Sequence, residues 1–394
     1  MRNGGRSWRA LLAFVLVISV SGCSTIKGWF DSDEEDPRQP AELQDINETV
    51  KIRKKWSMSV GDGQGGGYYR LQPVLSNGRL YAASAKGHVV AVDSGSGKTL
   101  WRKKLKQSIS GGVGVYENSL FLGTNDGAVL HLDARDGSLL WSRLLTGEVL
   151  SAPQSNGRIV AVQSYDGKLH GLDYNQGDIL WTYDSNMPVL TLRGTGTPIM
   201  NGALVLAGFA NGRVGAFDTQ TGALSWEARV AISQGRSEIE RIVDIDGSME
   251  LAGTTLYAAS YQGNLVAIDI NSGRKIWQEE ASSWSGVSQG FGNAYIAEED
   301  GTVRAFLRSG QGLRWQQDEL AWRKLSRPTP VSSYVAVGDL EGYVHLLSQV
   351  DGSLVGRVKV DGDGIRGDMV ADGNRLYVFG NGGKLVAFEV TAKN

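Results

Sequence analysis

The sequence predicts an all-β protein: an eight-bladed β-propeller of four-stranded antiparallel blades, closed by an N-terminal strand that completes the last blade. Three observations lead there. A motif returns with a period of about 40 residues, the size of one propeller blade. The composition, with 53 glycines and 8 prolines among short apolar runs, suits short strands joined by tight turns. A tryptophan-bearing segment near residue 56 stands without the rest of its repeat.

The first full copy reads Gly87-His88-Val89-Val90-Ala91-Val92-Asp93, then Ser94-Gly95-Ser96-Gly97, then Lys98-Thr99-Leu100-Trp101. Its apolar run, Val89 to Val92, is a strand buried on both faces, as expected between stacked sheets. The Asp-x-x-x-Gly step is a hairpin turn, in which the aspartate accepts backbone N–H bonds and the glycine supplies positive φ. The next strand carries the tryptophan, whose ring can wedge against the neighbouring copy. A further hairpin, Arg79 to Ser84 after the turn Ser76-Asn77-Gly78, brings the count to four strands per copy.

The motif tryptophan returns as Trp141, Trp181, Trp226, Trp277 and Trp315. The sixth copy has Leu307 in the aspartate's place. The seventh has Ser348 for the aspartate and Gly356 for the tryptophan. The eighth, Gly383 to Glu389, lacks its last strand. Lys54-Lys55-Trp56-Ser57-Met58 matches that missing strand, and its pairing with Ala387–Val390 is expected to close the ring and remove the exposed edge of an open array.

The start of the chain reads as an address. Arg2, Arg6 and Arg9 precede the uncharged run Ala10 to Val20. As a helix that run rises only about 16 Å, short of the roughly 30 Å of a bilayer core, so it is a signal-peptide segment. Val20-Ser21-Gly22-Cys23 resembles the lipobox of bacterial lipoproteins, which implies lipidation of Cys23, the only cysteine in the chain. Several acyl chains there would give stable anchoring. Ser24 in place of an aspartate favours the outer membrane, with the body facing the periplasm. The expected organisation is a signal peptide over 1–22, a lipidated and flexible acidic tether over 23–50, and the propeller over 51–394.

The formal charge of −2 becomes about −5 once residues 1–22 are removed, and no lysine- or arginine-rich run remains. Nucleic-acid binding, which needs clustered cations, is thereby disfavoured. His88, His131, His170 and His345 fall in separate strands without metal-ligand spacing. No Gly-x-Ser-x-Gly elbow is present. Gly61-Asp62-Gly63-Gln64-Gly65-Gly66 satisfies a G-x-G-x-x-G pattern, but no βαβ unit surrounds it, so it is expected to be a flexible loop. No enzyme, cofactor or metal is expected.

The Ala-x-Asp-x-x-x-Gly-x-x-x-Trp repeat resembles that of the pyrroloquinoline-quinone dehydrogenases. Together with the lipobox and the eight copies, the whole chain resembles the BamB family of outer-membrane protein assembly factors. The resemblance implies a non-enzymatic lipoprotein of the β-barrel assembly machine that binds the periplasmic domains of BamA and helps deliver unfolded outer-membrane proteins. Two loops carry that contact in the family. They match Pro188 to Gly194 and Arg241 to Asp246 here, so the resemblance implies partner-binding roles for Leu190, Leu192, Arg193, Asp244 and Asp246. The intervals Trp181–Gly212 and Trp226–Gly263 are also longer than those of most copies, which places extra residues side by side on adjacent blades. Leu190 and Leu192 would be apolar anchors beside an Arg193 ion pair; the competing reading is a buried strand start. Asp244 and Asp246 would otherwise cap a turn before Gly247. The rival functional classes are a quinoprotein dehydrogenase, which usually carries a vicinal cysteine pair that this chain lacks, and a periplasmic propeller adaptor with another partner.

Overall fold

A computed structural model describes residues 38–393; the signal segment, Cys23 and the acidic run near residue 33 lie outside them. Among the described residues every regular element is a strand, and none is a helix long and apolar enough to cross a membrane. The strands form eight four-stranded antiparallel sheets. Blade 1 spans residues 74–104, and blades 2 to 7 follow at 109–144, 154–184, 199–229, 250–280, 287–317 and 329–359. Blade 8 takes Val370–Asp372, Arg375–Phe379 and Lys384–Ala392 from one end of the chain and Val50–Ser59 from the other.

The ring therefore closes as expected, through the N-terminal strand. Lys54 faces Phe388, Trp56 faces Ala387 and Met58 faces Leu385, so residues 54–58 lie opposite 385–388, not 387–390. The pairing also runs further than the motif suggested, out to Val50 opposite Ala392. A bulge at Lys55 inserts one unpaired residue between Lys54 and Trp56, so that five residues face four.

That bulge is not local to blade 8. In each blade the outer strand slips by one residue immediately before the tryptophan position, for example between Ala91/Val92 opposite Trp101 and Thr99, and between Ala216/Phe217 opposite Trp226 and Leu224. A bulge bends and twists its strand, re-aiming the side chain that follows. Here it turns the indole off its own sheet and onto the next one. The extra residue is left exposed on the rim in most blades, as at Leu100, Leu140, Leu180 and Ile276, and is buried in blade 7, at Val355.

The indole then meets the Asp–Gly turn of the following blade. Trp56, Trp101, Trp141, Trp181, Trp226, Trp277 and Trp315 each donate Nε1–H to a carbonyl just past the turn's first residue, at 2.7–3.2 Å. The turn glycine lies flat against the ring. At Gly222, with φ +70°, a Cβ would sit 2.6 Å from the Trp181 ring, so this position excludes side chains both by backbone conformation and by space. The aspartate acts as expected: Asp218 Oδ1 accepts the N–H groups of Gln220 and Thr221.

Gly356, where blade 7 lacks its tryptophan, now has a reason. Blade 8 has no Asp–Gly turn, because the chain's two ends meet there instead of crossing over. Val50 and Ile52 of the closing strand come within ordinary contact of Gly356 and fill that seam.

Residues 41–49, expected within a flexible tether, lie along blades 6 and 7. Ala41 N–H donates to the Ala321 carbonyl at 2.9 Å and Thr49 N–H to that of Val355 at 3.0 Å. Arg357 and Arg323 donate to the carbonyls of Gln44 and Ala41. Leu43 packs beside Trp315 and Leu320.

Candidate binding face

Antiparallel order fixes where the loops lie. Successive strands alternate direction from the axis outward, so all connections from one blade's outer strand to the next blade's inner strand emerge on one face of the ring. The tryptophan-docking turns emerge on the other. Both loops singled out in the sequence are of the first kind: residues 185–198 join blades 3 and 4, and 230–249 join blades 4 and 5.

In the first loop no strand forms between Asp184 and Ile199, so Val189 to Leu192 is not a buried strand start. Val189 is 91% exposed and Leu190 40%. Leu192 is half-buried and Arg193 exposed. The Arg193 guanidinium pairs with Glu148 at 2.7 Å and lies over the Tyr165 ring at 5.9 Å. Tyr69 lies near enough to the same guanidinium to help hold its charge.

The second loop supports the first from beneath. Asp244 is only 1% exposed, and its Oδ2 accepts the Leu192 N–H at 2.5 Å. It thus caps the neighbouring loop, not a turn before Gly247, and burial removes it from the set of exposed contacts. Asp246 is half-buried as a residue and lies against Gly194, where an added Cβ would meet its carboxylate at 2.7 Å. Asp244 Oδ1 and Asp246 Oδ2 are shielded from solvent and have no hydrogen-bond partner.

Two neighbouring carboxyls with buried, unpaired oxygens resist ionisation. Burial pushes Asp244 up to about 7, with the Leu192 N–H opposing. Burial, and then the Asp244 charge, hold Asp246 well above the usual carboxylate range, with Arg70 pulling the other way.

Glu148, Tyr165, Tyr69 and Arg70 were not singled out from the sequence. Glu148 and Tyr165 come from the loop after blade 2 and a turn in blade 3, and Tyr69 and Arg70 from the loop after blade 8, which closure of the ring carries to the same face. No local pattern marks them.

The same closure surrounds a cavity of about 300 Å³ lined by the inner strands, with Glu250, Arg327 and Asp368 in its wall. Arg327 pairs with Glu250 and Asp368, and Arg70 with Asp368, so both guanidinium groups are committed to protein carboxylates. Among the described residues no cluster of three or more His, Cys, Asp or Glu side chains is arranged to hold a metal ion. The residues present do not fit a quinone held with calcium.

A family model described as outer membrane protein assembly factor BamB matches residues 53–107, 85–317 and 299–393. The chain is 58% identical to the BamB of Pseudomonas aeruginosa, over 97% of this chain and 99% of that protein. It is 45% identical to the BamB of Marinobacter adhaerens, over 96% and 95%. The chain belongs to the BamB family.

The crystal structure of BamB from Moraxella catarrhalis superimposes with a TM-score of 0.79 at 30% identity, covering 86% of this chain and all of that one. Quinohemoprotein alcohol dehydrogenase from Comamonas testosteroni has a TM-score of 0.67 at 14% identity, over 90% and 79%. That second likeness is one of fold alone.

Proposed function

We propose that the chain is a non-enzymatic scaffold of the outer-membrane β-barrel assembly complex. It is anchored through a lipidated Cys23, faces the periplasm, and binds the periplasmic domains of BamA while outer-membrane proteins are delivered and inserted. Residues 1–22 are removed as the signal peptide, and the segment that begins at Cys23 serves as the tether.

The observation that carries this reading is the patch formed by Val189, Leu190 and Arg193. Exposed apolar side chains flank an arginine on a loop clamped from below by Asp244, so little ordering entropy remains to be lost on binding. An arginine at the centre of an apolar patch is a common interface anchor. Its pairing with Glu148 is no obstacle. With the Arg193 side chain 44% exposed, the ion pair is a surface one, and exchanging it for a carboxylate on the partner costs little. Leu192, half-buried, joins the patch at its edge.

The test is a pull-down from detergent-solubilised outer membrane using the wild-type chain and Arg193→Glu. BamA recovered with wild type and lost with the variant is the expected result. Equal recovery removes the site, and no BamA with either chain removes the function.

A further inference from the structure

The glycine-rich loop after Val50–Ser59 has no role in the repeat, yet it is tightly held. Gln64 is fully buried and exchanges two hydrogen bonds with the backbone of Leu71, at 2.6 and 2.8 Å. Gln64 N–H donates to the Asn381 carbonyl, and the Gly63 carbonyl accepts the Ala85 N–H. A Cβ on Gly63 would fall 2.2 Å from the Asn381 carbonyl oxygen, so only glycine allows this approach. The expected flexible loop is a fixed one, stitched to blades 8 and 1.

What it presents is Tyr68-Tyr69-Arg70. Arg366 stacks over the Tyr68 ring at 5.1 Å and donates to the carbonyls of Gly67 and Tyr69, which aims the following residue across the face. Arg70 then reaches four acceptors on three distant loops. Its Nη2 donates to the Ser285 carbonyl at 2.8 Å and to Asp368 at 3.1 Å, and its Nη1 to the carbonyls of Asp246 at 3.3 Å and Trp284 at 3.4 Å. The guanidinium also lies over the Trp284 ring at 5.5 Å. Its planar fork suits this task, since a lysine ammonium offers a single point of attachment.

The loop therefore touches both candidate binding segments at once: Tyr69 beside Arg193, and Arg70 on the backbone of Asp246. Asp244, two residues back, holds Leu192. We infer that residues 61–70 form a third element of the partner-binding face, with Arg70 a positioning residue that fixes the Asp244–Asp246 segment and, through it, the loop carrying Leu190 and Arg193. This rests on the reading of that face as the BamA-binding one.

The experiment measures affinity of the full detergent-solubilised chain for the periplasmic domains of BamA, for wild type, Arg70→Ala, Arg70→Lys and Tyr69→Phe. Amide exchange is followed in the same samples. Arg70→Ala is expected to weaken binding about tenfold, with faster exchange confined to residues 189–194 and 241–247. Arg70→Lys is expected to recover part of that loss, and Tyr69→Phe to cost about threefold. Wild-type affinity in Arg70→Ala overturns the inference. Should Arg70→Ala instead exchange faster throughout the ring, Arg70→Lys decides: intermediate affinity supports the role, and full wild-type affinity overturns it. No binding by the wild-type chain rejects the reading of the face itself, a result distinct from any of these.

Discussion

The rim and the loop face of this propeller are built on opposite plans. On the rim, seven indoles repeat one contact, each joining a blade to the next through a bulge, a carbonyl and a glycine. On the loop face one backbone contact repeats in most blades, the N–H after the outer strand donating to the carbonyl of the motif glycine, as from Leu105 to Gly87 and from Val230 to Gly212, but the side-chain contacts of the two long loops do not. Leu192 depends on Asp244, Arg193 on Glu148, and Asp246 on Arg70, pairs drawn from different blades. The rim shows how a ring gains stability by copying one good interface. The loop face is where the copies depart from one another, and it is there that the proposed recognition lies.

That contrast is broken most severely by removing a rim indole. Trp181 is buried, and Trp181→Ala deletes its packing against Gly222 together with one cross-blade hydrogen bond. A loss of about 3–5 kcal/mol is expected, read by chemical denaturation. Affinity for BamA domains is expected to stay unchanged at temperatures where the ring remains folded.

A smaller effect comes from pH. A carboxyl whose folded pKa lies above its unfolded value of about 4 takes up a proton on folding, so its contribution to stability falls as pH climbs from about 4 to 7 and then levels off. Asp244 and Asp246 both act in this sense. Melting temperatures across that range are expected to decline less steeply for Asp244→Asn than for wild type, a difference of a few kcal/mol at most. Parallel profiles would mean that the buried pair does not stay protonated in the fold.

Gly222→Ala strains a positive-φ turn and presses a methyl group into the Trp181 ring. About 1–3 kcal/mol is expected, again with binding intact. Arg193→Glu is the converse case. Its ion pair is exposed, so stability is expected to change by less than about 1 kcal/mol, while affinity falls at least tenfold.

How much of this was legible in the sequence follows the same division. The repeat displayed the blades, the turns and the closing strand at Trp56, because each depends on residues near one another in the chain. The bulge at Lys55 was hidden, since it consists of a backbone slip that no side chain announces, and so was the register of the closing strand. That Gly356 replaces the tryptophan was plain, but not that Val50 and Ile52 of the closing strand lie beside it. On the loop face the sequence located residues 188–194 and 241–246, but not that Asp244 is buried or that Arg70 reaches Asp246. The first is a contact between loops of adjacent blades 52 residues apart, and the second depends on ring closure over a separation of more than 170 residues.

The most direct test is amide exchange across the whole chain, with and without the periplasmic domains of BamA. Slowed exchange is expected in residues 61–70, 185–198 and 230–249, with the docking turns, such as Asp218 to Gly222, unchanged. Protection centred on those turns, or spread evenly around the ring, would contradict a binding face separate from the rim.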